Sequence, residues 1–61
     1  MIREIRGTIS SVDPLGAVIN VSGWGVYVHL PSSELLTEGS EVHLKTFLSL
    51  KQDGVDLYGF F

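Results

Sequence analysis

The side chains that could do chemistry are few. The chain has two histidines, His29 and His43, seven acids, four basic residues and no cysteine. A structural or catalytic zinc needs three or four ligands converging on one point. The two histidines stand on different segments, with no Cys and no helical His-x-x-x-His spacing, so a zinc site would have to borrow a carboxylate from elsewhere. A histidine at an alternating position of a strand is ordinarily just solvated. No serine sits in a Gly-x-Ser-x-Gly elbow. Gly23-Trp24-Gly25 lacks the lysine and following helix of a phosphate loop. The residues therefore point to no catalysis, no cofactor and no metal.

Two stretches suggest binding instead. Trp24, held between two glycines, is either a platform on which a base stacks or a lid folded over the end of a barrel, the commoner arrangement. Lys51-Gln52-Asp53-Gly54 is a charged turn, and most such turns are simply wet. The formal charge of −3 weighs against strong DNA binding by the chain alone, since that affinity comes largely from phosphate neutralisation by Lys and Arg. Arg3, Arg6 and Lys51 could still share a face.

These residues are carried by short period-two segments separated by turns, the signature of an all-β domain. Ile2–Ser10 reads as a first strand, with Ile5 and Ile9 on one face and Gly7 as a bulge or close-approach point. Asp13-Pro14-Leu15-Gly16 is a turn, followed by a strand from Leu15 to Val21. Ser22-Gly23-Trp24-Gly25 is a break, and Val26–Leu30 a third strand. Pro31 to Leu36 fits a helical turn capped by Ser32 or Ser33. Glu41–Leu50 is the longest strand, Asp53-Gly54 marks a hairpin, and Val55–Phe60 returns as a fifth. On that last strand Val55, Leu57 and Gly59 occupy one face and Asp56, Tyr58 and Phe60 the other. Apolar area on both faces implies a second packing partner, with Tyr58 and Phe60 as candidate oligomer contacts.

Three strands, a short helix and two strands is the order of a five-stranded Greek-key OB-fold barrel; an SH3-like barrel is the runner-up. Sixty-one residues make one marginal domain, which buries only about 60% of its unfolded surface. No apolar run approaches the ~20 residues of a membrane span. The opening MIREIRG lacks a signal peptide's apolar stretch. A cytoplasmic protein with no membrane partner is expected.

Three stretches, read together, resemble a known family. They are Met1-Ile2-x-x-Ile5-Arg6-Gly7, Gly23-Trp24-Gly25-Val26-Tyr27-Val28-His29-Leu30-Pro31, and Asp53-Gly54-Val55-Asp56-Leu57-Tyr58-Gly59-Phe60. In order and spacing they are similar to the N-terminal domain of RuvA, the Holliday-junction-binding subunit of the bacterial branch-migration complex. The resemblance implies an OB-fold domain assembling as a homotetramer on four-way junction DNA in recombination and repair. It also implies that residues 1–61 are one piece of a longer protein. A helix-hairpin-helix domain and a C-terminal domain that recruits the ATPase motor RuvB would follow. Two acids at the family's last hairpin form a pin facing the junction crossover, where like charges repel by ~1 kcal/mol or more per pair. Those positions fall on Gln52 and Asp53, so here one acid is kept and one replaced. Arg6 and Lys51 are the candidate DNA backbone contacts. Beside this reading stand two others: an OB module that binds single-stranded nucleic acid by stacking, and a purely oligomerising scaffold.

Overall fold

The computed structural model describes residues 3–31 and 36–61. Five strands follow in chain order: β1 (Glu4–Asp13), β2 (Gly16–Val21), β3 (Trp24–His29), β4 (Glu41–Lys51) and β5 (Gly54–Phe60). They close into a barrel in the order β1-β2-β3-β5-β4, which is the OB topology. All neighbours are antiparallel except β3 and β5, which run parallel and meet at a single register pair, His29 with Tyr58. The helical turn expected over Pro31 to Leu36 falls mainly on residues 32–35, outside the described residues.

Alternation explains the core. Ile5 and Ile9 of β1, Ala17 and Ile19 of β2, Val28 of β3, Leu44 of β4 and Leu57 of β5 point inward, and Leu30 joins them just past β3. Ile9, Ile19, Val28 and Leu44 are the largest side chains fully withdrawn from water. Together these inward side chains fill the interior of the small barrel.

β1 runs three residues further than its sequence suggests because it serves two partners. Its first half pairs with β4, from Glu4–Lys45 to Thr8–Glu41. Its second half pairs with β2, from Thr8–Asn20 to Asp13–Gly16. The bend between them is taken up by a bulge at Ser10, between the Ile9–Ile19 and Ser11–Val18 pairs. Gly7 is therefore not the bulge but the close approach. A Cβ there would run into the main-chain oxygen of Asn20 on β2.

At the first turn Asp13 Oδ1 accepts the N–H groups of Leu15 (2.8 Å) and Gly16 (2.9 Å). The β2–β3 connection is a two-residue turn with Ser22 at φ 52° and Gly23 at φ 93°. Positive φ at both positions suits the right-handed strand twist. Trp24 consequently belongs to β3, paired with Val21, and not to the loop.

Candidate nucleic-acid interface

The β4–β5 hairpin carries most of the predicted site. Its ladder runs from Lys45–Phe60 out to Lys51–Gly54, which leaves Gln52 and Asp53 as the two-residue turn. Gly54 thus opens β5 instead of forming the turn's centre with Asp53. Both turn residues are exposed. Behind them Leu50 and Val55 oppose each other, 72% and 60% exposed although both stand on the inward-facing set of positions. The hairpin projects past the end of the barrel, so nothing lies over them.

At the hairpin's base a charge network crosses to β3. Lys51 Nζ lies 2.7 Å from Asp56 Oδ2, and Asp56 Oδ1 lies 3.4 Å from His29 Nε2. The Lys51 ammonium, with lesser help from His29, holds the Asp56 carboxyl below its ordinary value, and Asp56 in turn raises Lys51. The His29 ring stacks on Tyr58, centroids 5.0 Å apart at 29°, and meets Tyr27 edge-on at 86°. The Tyr27 hydroxyl donates to the Asp13 carboxylate at 3.0 Å, closing a chain of contacts from the β1–β2 turn to the last hairpin. Backbone donation from Leu15 is the main reason Asp13 sits below its ordinary value, and Tyr27 adds to it. Partial desolvation, then the Asp13 bond, raises Tyr27.

This network disposes of the predicted residues unevenly. Lys51 is committed to Asp56, so a phosphate would have to compete for it. Asp56 is neutralised and adds nothing to the charge of the tip. Asp53 and Gln52 stand at that tip, and among the described residues Asp53 makes no ion pair. Arg6 is elsewhere. It pairs with His43 on β4, eight positions before Lys51, about 26 Å along a strand at ~3.3 Å per residue. Arg6 lines a polar groove of about 660 Å³ with Thr8, Asn20, Ser22, Glu41 and His43. The expected basic face of Arg6 and Lys51 is therefore two separate places.

Tyr58 and Phe60 line an apolar hollow of about 320 Å³ with Leu15, Leu30 and Pro31. Tyr58 is already half covered by its own barrel, whereas Phe60 and Phe47 of β4 are open to solvent. Trp24 does not fold back as a lid: it is 77% exposed. The histidines each face a carboxylate, His43 at 2.8 Å from Glu4 and His29 from Asp56. Among the described residues no group of three potential metal ligands is gathered, and no helix is long and apolar enough to cross a membrane. The Asp13–Tyr27–His29–Asp56–Lys51 network escaped the sequence reading. Its one visible signal was the outward alternation of Tyr27 and His29.

The family model described as "RuvA N terminal domain" matches residues 1–59. The chain is also similar to curated proteins named Holliday junction branch migration complex subunit RuvA. It is 40% identical over 62 residues to that of Bifidobacterium adolescentis, with 98% of this chain and 30% of the relative covered. It is 40% identical over 63 residues to that of Opitutus terrae (98% and 32%) and 40% over 62 residues to that of Thermus thermophilus (98% and 32%). The chain thus spans about a third of the length of these relatives.

Proposed function

The chain belongs to the RuvA N-terminal domain family, and from that premise we propose that it is the barrel domain of a branch-migration subunit that tetramerises on four-way junction DNA. In this reading residues 1–61 supply the centre of a homotetramer and perform no catalysis. Following domains in the same cytoplasmic subunit grip the DNA arms and recruit the RuvB motor. Asp53, with Gln52 beside it, is the pin facing the crossover. Arg6 is the basic side chain available to a DNA phosphate, and Phe60, with Tyr58 beneath it, meets the neighbouring subunit.

One observation carries the pin assignment. Asp53 stands at the tip of a hairpin that projects beyond the barrel, above a Lys51–Asp56 pair that cancels itself at 2.7 Å. A cation left free at that base would offset the acid; paired, it does not. The tip therefore presents one net negative charge per copy, and four copies around an axis would repel phosphates entering the centre. Replacing one of the family's two acids with Gln52 halves that charge.

The test is a full-length subunit carrying this domain, assayed for branch migration and junction opening. Gln52→Glu should strengthen opening and Asp53→Asn should weaken it. If both variants open and migrate junctions at the wild-type rate, the pin assignment fails.

A further inference from the structure

The chain has three aspartates, and their surroundings differ in a way that bears on covalent chemistry. An aspartyl carboxyl can be attacked by the main-chain nitrogen of the next residue. Water leaves, and a five-membered succinimide ring joins the two. The reaction needs an N–H next in the chain with no side chain shielding it, a carboxyl without other partners, and room for the ring. Asp13 fails: Pro14 has no N–H, and the carboxylate holds the Leu15 and Gly16 amides. Asp56 fails as well, since its carboxylate is tied to Lys51 at 2.7 Å and the buried Leu57 follows it.

Asp53 meets each condition. Gly54 follows it, and nothing lies within 4 Å of the place a Gly54 Cβ would occupy. Asp53 is exposed and makes no ion pair among the described residues. Its turn is also weakly held. Ser22 is the only described non-glycine residue at positive φ, so Gln52 and Asp53 both lie at negative φ. Two-residue hairpins favour positive φ, which matches the strand twist, whereas negative φ at both positions splays the strands. Gly54 faces Lys51 on the last rung of the ladder, and terminal rungs open first.

We propose that Asp53-Gly54 is a site of spontaneous isoaspartate formation that the folded hairpin leaves unprotected. The Gly54 nitrogen bonds to Asp53 Cγ, giving up its hydrogen as the carboxyl gives up OH. Water then adds to either ring carbonyl. Addition at Cγ restores aspartate; addition at the main-chain carbon leaves the chain running through Cβ and Cγ, as isoaspartate. One water leaves and one returns, so the net change is an isomerisation. The negative charge is kept, but the carboxylate now hangs directly on Cα and the turn gains one backbone atom. At a pin facing a crossover this retracts the acid, a consequence that rests on the reading proposed above; the chemistry itself does not.

The test is to incubate a full-length protein carrying this domain at neutral pH and physiological temperature for several weeks. Digestion then allows isoaspartate to be scored by electron-transfer fragmentation and by enzymatic methylation of isoaspartyl carboxyls. A synthetic peptide of residues 49–56 run alongside sets the unprotected rate. Isoaspartate should accumulate at Asp53 at a rate close to the peptide's, and at neither Asp13 nor Asp56. Gly54→Val, its fold checked by melting temperature, should abolish the product, because a branched side chain shields the attacking nitrogen. Isoaspartate in the peptide but not in the folded protein, or undiminished in Gly54→Val, would overturn the proposal. Junction opening by the aged protein is read separately: unchanged opening with isoaspartate present supports the modification and counts against the pin.

Discussion

Lys51 and Asp56 meet at 2.7 Å across the foot of the last hairpin, separated along the chain by the Gln52–Asp53 turn, Gly54 and Val55. The pair sets the net charge that the tip displays. Asp53 and Asp56 against Lys51 leave one negative charge; without Asp56 they leave none. Asp56→Asn should therefore make the tip neutral and tighten four-way-junction binding at low salt. The gain should vanish above ~0.5 M salt, where screening is complete over a few ångströms. Gel-shift titrations at two ionic strengths measure it, and equal affinities at low salt would show that the pair does not control the tip.

Stability should fall on the acid side through two named carboxylates. Asp13 and Asp56 both lie below their ordinary value of 3.8. A depressed carboxyl contributes stability above its unfolded value and loses it as pH drops through the folded value. Thermal melts should show the wild type more stable than Asp13→Asn at neutral pH, with the gap closing below about pH 3.8. Asn keeps an acceptor for the Leu15 and Gly16 amides, so the variant isolates the charge. A gap unchanged at pH 2.5 would contradict the assignment. Lys51 and Tyr27 are raised, so their contributions are complete below 10.5 and 10.0 and lost only at higher pH.

Two glycines are held by packing, to different degrees. A methyl at Gly7 meets a main-chain oxygen that cannot rotate away, whereas one at Gly59 meets the Val28 Cγ1 at 2.5 Å and Leu30 Cδ2 at 3.1 Å. Overpacking costs about 1–3 kcal/mol. Gly7→Ala should sit at or beyond the top of that range and Gly59→Ala below it, because side chains repack more readily than a strand moves. Urea midpoints decide the order.

The exposed apolar side chains of β4 and β5 should govern association. Phe47 and Phe60 are 59% and 51% exposed on the outer face, and Leu50 and Val55 more so on the other. In a full-length subunit, Phe60→Ser combined with Phe47→Ser should shift light-scattering mass toward smaller species without lowering the melting temperature by more than a few degrees. Unchanged mass would place the interface elsewhere.

Period-two alternation and turn residues were enough to find all five strands and to put Ile5 and Ile9, both buried, on one face of the first. Parity tells which way a side chain points but not whether anything lies over it. Trp24, Leu50 and Val55 share the inward parity of the core and are nonetheless wet, because their strands overrun the barrel. The bulge at Ser10 was hidden for a related reason: it depends on β1 changing partners midway, which no local pattern encodes. The separation of Arg6 from Lys51 likewise required knowing the register of β1 on β4, and the Asp56–His29 contact that β3 lies beside β5. Asp53's place at a hairpin tip was legible because the turn is local.

The parallel seam has a mechanical corollary. A cylinder fastened by four long zippers and one stitch unrolls at the stitch, here His29 against Tyr58. Fluctuations that undo it leave the other ladders intact and let the β4–β5 arm swing as one piece. Opening at that seam would shift the acid tip while the four antiparallel ladders stay paired.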